Sequence, residues 1–170
     1  MKRIIIISDT HKNQILLRKA FRNEINCDYI FHLGDFFEDM DDNPDLCQNK
    51  ILCRVPGIYC PGYLDRSVPA LLKLEILNWK LLLIHDLNSL REQLHKTDII
   101  FYGHTHKWDY QHKNNQHLIN PGHLKAETDR AREASYATVD LTDQKAELKI
   151  KSLAGKILMT AKFNKNQEEI

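Results

Sequence analysis

Four short apolar runs in this chain each end in a polar segment rich in Asp, His and Gly. These segments are Asp9-Thr10-His11, Gly34-Asp35, His85-Asp86 and Gly103-His104-Thr105-His106. Apolar runs of this length, bounded by turn residues, are typical of buried β-strands. Ligand-binding side chains of α/β proteins collect outside the carboxyl ends of strands, so we expect the four segments to converge. The pattern therefore favours an α/β fold with a polar site at the strand ends.

The residue types in these segments predict a metal site. Asp and His supply the oxygen and nitrogen ligands that divalent transition metals take when no thiolate is present. The candidate ligands are Asp9, His11, Asp35, His85, His104 and His106. Six ligands are more than one tetrahedral ion uses, and one carboxylate can bridge two ions. Each segment alone is also typical of a turn or a cap, so the prediction depends on the whole set in its order.

The first third of the chain has the pattern of a βαβ unit. Strands are predicted at residues 3–8, 29–33 and 51–55, with Asn13 suited to cap a helix after the first. The spacing predicts that the buried face of this helix consists of Ile15, Leu16, Ala20 and Phe21. Residues 38–45 are acidic and turn-rich, and we expect a loop there.

The remainder of the chain is richer in predicted strands. A hairpin is expected from residues 72–77 and 81–85 with its turn at 78–80, followed by a short helix at 87–95. Further strands are expected at residues 98–102, 116–119, 136–141 and 146–150. Residues 125–134 are compatible with a loop or with a helix, and the polar tail, residues 164–170, is expected to fray.

Length and composition limit the classes of function. A chain of 170 residues is expected to form a single domain over residues 1–170. The formal net charge of +1 gives no support to nucleic-acid binding by bulk electrostatics. No apolar stretch is long enough for a membrane span, and the four cysteines form no Cys-x-x-Cys pair. We therefore expect a cytoplasmic protein with no membrane partner and with reduced thiols.

The order of the motifs resembles that of a known family. Asp9-x-His11, Gly34-Asp35, His85 and Gly103-His104-x-His106 resemble the motif blocks of the calcineurin-like metallophosphoesterases. Length and spacing are most similar to the small YfcE-type phosphodiesterases of bacteria and archaea. Asn120-Pro121-Gly122 also resembles their Asn-Pro-Gly-Ser turn, with His123 in place of Ser. The resemblance covers residues 1 to about 150 and implies a four-layer α/β/β/α sandwich with two stacked mixed β-sheets.

The resemblance also implies a division of the ligands and a reaction. Asp9, His11 and His106 would hold the first metal, His85 and His104 the second, and Asp35 would bridge them. The expected ions are two Mn²⁺, or alternatively Fe, Zn, Ni or Co. A water or hydroxide between the ions would attack phosphorus in line, so no protein side chain is assigned as nucleophile. A small phosphoester, most specifically a phosphodiester, would be the substrate, and the fold is compatible with a homo-oligomer.

One segment departs from the family pattern. The family has Gly-Asn after its third strand, and that Asn binds the second metal. Alignment on Gly57 places Ile58 at the Asn position, whereas alignment on Gly62 places Tyr63 there. We favour Gly62, because Asp65 then matches a common following Asp and either Tyr63 or Asp65 is a candidate substitute ligand or substrate contact. Asp86, where the family usually has Gly, is expected in solvent or behind His85.

Two further observations leave alternatives open. The altered segment favours, as an alternative function, a catalytically impaired member of the same fold that acts as a protein- or ligand-binding module. Aromatic residues near the motifs would suit a base or sugar, but such residues are equally typical of rim packing. They are Tyr59, Tyr63, Trp108 and Tyr110. His123 follows the turn at Gly122 and is not expected to bind metal.

Overall fold

The first of two mixed sheets contains the parallel strands at the start of the chain. The computed structural model describes residues 1–90 and 97–165. The strands of this sheet, in chain order, are β1 (Lys2–Ile7), β2 (Tyr29–His32), β3 (Ile51–Arg54), β11 (Ser135–Leu141), β12 (Lys145–Ser152) and β13 (Ile157–Asn164). Their spatial order is β13-β12-β11-β1-β2-β3. Strands β1, β2 and β3 are parallel, and the other pairings are antiparallel. Strand β13 was not predicted from the sequence.

The second sheet is built from the middle of the chain. Its strands are β4 (Leu71–Ile76), β5 (Trp79–Ile84), β6 (Ile99–Tyr102), β7 (Asp109–Lys113) and β8 (Gln116–Asn120). They lie in the order β4-β5-β6-β8-β7, with β5, β6 and β8 parallel. The expected hairpin is β4–β5, and its turn lies one residue early, because Leu77 and Asn78 adopt left-handed φ values of 49° and 67°. The polar strand β7 was not predicted.

Helix α1 (Gln14–Phe21) covers the outer face of the first sheet. The Asn13 side chain caps it by accepting a hydrogen bond of 3.1 Å from the Leu16 amide. Its buried residues are Leu16, Leu17, Ala20 and Phe21, whereas Ile15 is 79% exposed. The prediction for Ile15 is therefore wrong, because the face that packs on the sheet is rotated by one position toward Leu17.

Short elements occupy segments where the sequence predicted loops or left the outcome open. Residues 38–45 contain a 3₁₀ turn at Phe37–Met40 and the start of α2 (Pro44–Cys47), and α3 spans Pro61–Leu64. Within residues 125–134, β9 (Thr128–Asp129) and β10 (Arg132–Glu133) form a minimal antiparallel hairpin rather than a helix.

The predicted helix at residues 87–95 and the predicted fraying at 164–170 can be followed only in part. The predicted helix begins as a 3₁₀ turn at Leu87–Ser89. Residues 91–96 of that helix lie outside the described residues. In the predicted frayed tail, residue 164 is the last residue of β13, and residues 166–170 lie outside the described residues. No helix among the described residues is long and apolar enough to cross a membrane.

The two sheets pack face to face and share one apolar core. Phe31 of β2 and Phe101 of β6 are fully buried and meet edge to face at 5.3 Å between ring centroids. The same core takes in Ile4 and Ile6 from β1 and Leu83 from β5. The expected α/β fold with two stacked mixed sheets is confirmed. Its consequence for function is that the carboxyl ends of β1, β2, β5 and β6 lie at one rim.

Candidate metal centre

Backbone and side-chain hydrogen bonds join the four polar segments at this rim. Within the first sheet, the Asp9 amide donates to the Gly34 carbonyl at 3.0 Å, and in the second the Gly103 amide donates to the His85 carbonyl at 3.0 Å. Between the sheets, the His104 amide donates to Asp9 Oδ2 at 3.1 Å. The segments that lie far apart in sequence therefore converge on one place.

Four of the predicted ligands form one compact group. One ligand atom from each of Asp9, His11, Asp35 and His106 lies within 4.8 Å of the others. His106 Nε2 is 3.2 Å from Asp9 Oδ1, and His11 Nε2 is 3.6 Å from Asp35 Oδ2. The arrangement has the size that one divalent cation requires.

Of the two remaining predicted ligands, His85 faces the other oxygen of Asp35, and His104 packs against His85. His85 Nε2 is 3.4 Å from Asp35 Oδ1, and the His85 and His104 rings meet edge to face at 5.1 Å. The two oxygens of one buried carboxylate thus face two separate imidazoles, His11 and His85. This is the placement that a bridging carboxylate requires.

Most of the predicted ligands have a left-handed backbone conformation. Five of the six predicted ligands have left-handed φ values between 46° and 67°, namely Asp9, His11, Asp35, His104 and His106. A non-glycine residue in this region costs of the order of 1 kcal/mol or more, and such residues cluster at functional sites. Each left-handed residue turns the chain sharply at a strand end, which keeps consecutive polar side chains at the rim.

Buried lone pairs without hydrogen-bond partners show that a cation fits the group. The His85 Nδ1–H donates to the Leu33 carbonyl at 2.7 Å, so Nε2 carries a lone pair and faces the acceptor Asp35 Oδ1. Among residues 1–90 and 97–165, His85 Nε2, His11 Nε2 and Asp9 Oδ1 are all buried without a hydrogen-bond partner. Burial also lowers the pKa of His11, which favours the neutral, ligating form. A divalent cation would satisfy these acceptors together.

A carboxylate that the sequence did not indicate orients His106. Asp129 of β9 accepts a hydrogen bond of 2.7 Å from His106 Nδ1–H, which directs Nε2 toward Asp9. This hydrogen bond is the main reason that the pKa of Asp129 falls to about 2. The Asp9 carboxylate, more than Asp129, raises the pKa of His106. Because Asp129 lies in the charged segment 125–134, no local pattern distinguishes it from its neighbours.

The loop after β3 closes on Asp35 through Gly57. A Cβ atom at Gly57 would lie 2.1 Å from Asp35 Oδ1 and 2.2 Å from the Asp35 amide nitrogen, so only glycine fits. Two residues later, the Tyr59 amide donates to Asp35 Oδ1 at 3.3 Å. Ile58 lies between them and is 40% exposed.

The structure does not bring Tyr63 and Asp65 to the group. Gly62 packs against Ser67 and Val68, and Tyr63 is half-buried in α3. Asp65 is exposed and accepts a hydrogen bond of 2.9 Å from the Ser67 amide. The approach to Asp35 distinguishes two Pro-Gly pairs that look alike in sequence, and it favours Gly57 over Gly62 as the alignment point.

Two other polar residues lie near the group without joining it. Asp86 accepts a hydrogen bond of 2.9 Å from the Asn88 amide and caps the 3₁₀ turn that follows His85. His123 is fully buried, and its ring stacks on that of His106 at 5.4 Å. His123 Nε2 lies 3.2 Å from the Arg132 carbonyl, so this ring packs behind the ligand.

Several solved structures share this fold. A phosphoesterase from E. coli, YfcE, has a TM-score of 0.71 and 17% identity over 96% of this chain and 100% of its own. An archaeal phosphodiesterase has a TM-score of 0.67 and 19% identity over 95% and 99%. Vps29 from Entamoeba histolytica, solved with Zn²⁺, has a TM-score of 0.69 and 17% identity over 96% and 99%. Identities this low show a common fold.

Sequence comparison gives the family. No curated protein is significantly similar to the chain. The model of the calcineurin-like phosphoesterase superfamily domain, however, matches residues 1–144, which include all six predicted ligands. The match confirms the resemblance of the motif order, and the chain therefore belongs to the calcineurin-like phosphoesterase superfamily.

Proposed function

We propose that the chain is a metal-dependent hydrolase of phosphoester bonds and that its substrates are small phosphodiesters. The observation that carries this proposal is the Asp35 carboxylate, whose two oxygens face His11 and His85 at 3.6 and 3.4 Å. Buried imidazole and carboxylate atoms around it have no hydrogen-bond partner in the part of the chain that the structure describes. The E. coli and archaeal neighbours, a phosphoesterase and a phosphodiesterase, support the same class of reaction.

Each ligand has a role in this proposal. Asp9, His11 and His106 would hold one ion, His85 and His104 would hold the other, and Asp35 would contribute to both. The nitrogen and oxygen set, without thiolate, suits Mn²⁺ and also Fe, Zn, Ni or Co. Two such ions supply an activated water and neutralise the charge that develops on the phosphoryl oxygens.

The protein's own groups fix the geometry for this chemistry. The Leu33 carbonyl orients His85 through Nδ1, and Asp129 orients His106 through Nδ1, so both Nε2 atoms are directed inward. The His104 amide orients Asp9 through Oδ2 and leaves Oδ1 for the ion. We assign no side chain as nucleophile, since the attacking oxygen comes from water. The free thiols of all four cysteines support a cytoplasmic location.

A second function rests on one observation. Ile58, which follows the glycine that meets Asp35, offers no ligand where the family pattern has Asn. The second ion would then have one protein ligand fewer, and a catalytically impaired binding module becomes the competing proposal. Vps29 structures among the neighbours show the same fold in proteins named for vacuolar sorting.

Hydrolysis of bis-p-nitrophenyl phosphate by chelator-stripped protein, titrated with Mn²⁺, tests the proposal. We expect metal-dependent turnover, and we expect Asp35→Asn to lower it by at least about a hundredfold and to weaken both ions, because it removes the shared ligand. Asp86→Asn is the matched control, since this carboxylate caps a turn. Absence of turnover with Mn²⁺, Zn²⁺, Ni²⁺ or Co²⁺ would favour the binding module.

A further inference from the structure

Two aromatic rings form a wall beside the metal ligands. The Phe36 and Tyr59 rings stack with centroids 5.7 Å apart and an interplanar angle of 16°. Both rings also contact His11, at 5.4 Å from Phe36 and 5.3 Å from Tyr59. We name Phe36 and Tyr59 the aromatic wall. It lies directly against a proposed ligand of the first ion.

The aromatic wall is anchored to the same carboxylate that the ions share. Phe36 follows Asp35 in the chain, and the Tyr59 amide donates to Asp35 Oδ1. Phe36 adopts a left-handed φ of 65°, an unusual conformation for a bulky residue. Main-chain geometry therefore anchors both residues of the wall beside Asp35.

One ring of the aromatic wall is open to solvent. Tyr59 is 58% exposed, whereas the His11 side chain beside it is 14% exposed. A hydrogen bond and two ring contacts hold the base of Tyr59, and its remaining surface is uncovered. An exposed, fixed aromatic ring at the mouth of a site provides a surface on which a flat ring can stack.

A positive charge lies at the same rim. Lys12 is exposed, and its Nζ lies 5.2 Å from the centroid of the Phe36 ring. Lys12 directly follows the proposed ligand His11 in the chain. A flat ring joined to an anionic phosphate matches this combination of aromatic surface, cation and metal ligands.

We propose that the aromatic wall binds a flat aromatic ring carried by the alcohol portion of the phosphoester. This inference rests on the proposed hydrolase function and narrows its substrate class to nucleoside or aryl phosphodiesters. The phosphate lies at the metal ligands, and the ring lies on the exposed part of Tyr59. Stacking of a base on an aromatic side chain is strong enough to change affinity by about tenfold or more.

The test compares phosphate ligands that differ only in their ring. Dissociation constants for Mn²⁺-loaded protein are measured calorimetrically for adenosine 5′-monophosphate against ribose 5-phosphate, and for phenyl phosphate against methyl phosphate. We expect the ring-bearing member of a pair to bind about tenfold more tightly. Tighter binding of the ring-bearing member in both pairs indicates that the wall accepts any flat ring. Tighter binding in the adenosine pair alone indicates that the wall binds a nucleoside. Equal affinities within both pairs would overturn the proposal.

Variants assign the preference to the aromatic wall. Tyr59→Ala is expected to remove the preference and Tyr59→Phe to retain it, with the affinity of each variant for inorganic phosphate measured as the reference. Phe36→Leu, which keeps apolar volume beside His11, should reduce the preference. Tyr63→Ala is the matched control, because Tyr63 is a half-buried tyrosine of the same loop region. A preference that survives Tyr59→Ala would overturn the proposal.

A parallel assay separates this inference from the proposed hydrolase function on which it rests. The same protein samples are assayed for hydrolysis of methyl p-nitrophenyl phosphate. Turnover together with equal affinities counts against the aromatic wall alone. A ring preference without turnover counts against the hydrolase function and leaves ring binding in place.

Discussion

At the residue scale, two carboxylates serve the imidazole group in different ways. Asp35 is 2% exposed and faces imidazoles with both oxygens, whereas Asp129 stands behind one imidazole and touches its far nitrogen. Asp35 is placed to contact ions directly. Asp129 is placed to hold His106 in one orientation and tautomer. Loss of each should therefore produce a different pattern of defects.

Asp129→Asn is expected to weaken Mn²⁺ binding by about ten- to a hundredfold without unfolding the protein. The amide retains the shape of Asp129 but lacks the charge that fixes the Nδ1–H tautomer of His106. Competition with a fluorescent chelator measures the metal affinity, and thermal unfolding of metal-free protein measures the fold.

Glu127→Gln provides the control for this charge change. The Glu127 side chain lies two residues away, is 81% exposed and approaches Lys19 at 3.9 Å. The Glu127→Gln variant should bind Mn²⁺ with the same affinity as the unmodified chain. Equal losses in Asp129→Asn and Glu127→Gln would show that net charge, rather than orientation of His106, controls the affinity.

At the element scale, the loop between β3 and α3 decides how complete the second ion's coordination is. Gly57 and Tyr59 meet Asp35 through the main chain, and the side chain between them is aliphatic. Three proposed ligands, Asp35, His85 and His104, then remain for this ion. An amide side chain introduced at the right position of this loop should therefore change the affinity for the second ion.

Ile58→Asn is expected to tighten binding of the second Mn²⁺ by about tenfold or more, because it supplies a carbonyl oxygen next to the Gly57–Asp35 contact. The measurement is a calorimetric titration that resolves two binding events. Tyr63→Asn introduces the same side chain in α3 and should leave both affinities unchanged. Tightening by Tyr63→Asn instead would restore the alignment on Gly62.

Strands β7, β8 and β13 meet in an aromatic cluster with a pH-dependent contribution to stability. His117 is 4% exposed and stacks on Phe163 at 3.7 Å and on His112 at 4.4 Å, and its Nδ1 lies 3.0 Å from the Tyr110 hydroxyl. Burial, with the nearby His112, lowers the pKa of His117 to about 4. The unfolded chain keeps a pKa near 6.5.

We expect the free energy of unfolding to fall as pH falls from about 6.5 to about 4, because the unfolded state then binds a proton that folded His117 excludes. Urea unfolding at several pH values measures the slope. His117→Phe, which keeps a ring in the stack, should reduce that slope by about 1 kcal/mol per pH unit. His112→Phe is the comparison at the exposed neighbour, and equal slopes in the unmodified chain and His117→Phe would contradict the prediction.

At the scale of the whole molecule, the site exists because two sheets are held face to face. Asp9 and Asp35 follow strands of one sheet, while the imidazoles of His85, His104 and His106 come from the other. The shared core fixes the distance between these two sets of ligands. Weakening the sheet interface should therefore affect stability and metal binding together.

Phe101→Ala is expected to lower the free energy of unfolding by about 3–5 kcal/mol, because it removes a fully buried ring from between the sheets. Urea unfolding measures this loss. The Mn²⁺ affinity of the folded fraction measures whether the ligands at the rim keep their arrangement. Ile157→Ala, at a residue that is 52% exposed, should change stability by less than about 0.5 kcal/mol. A loss as large in Ile157→Ala would show that the interface is not the main source of stability.

Local pattern in the sequence was sufficient for the strands that end in ligands. The apolar runs before Asp9, Asp35, His85 and His104 are strands β1, β2, β5 and β6, and Asn13 caps α1. These features depend on side-chain period and on residues at strand and helix ends, which neighbouring positions encode. Strand β7 was missed because its five residues include no alternation of apolar and polar side chains.

The sequence by itself determined the family, the strands that end in ligands and the set of proposed ligands. Only the tertiary structure decided that Gly57 rather than Gly62 meets Asp35, that Asp129 orients His106, and that Tyr59 stands exposed against His11. The physical reason is that each of these contacts joins residues 22 or more positions apart in the chain, as for Asp35 and Gly57. Such approaches depend on how the sheets pack, and the loop that carries Tyr59 is steered by a close main-chain contact that no local pattern records.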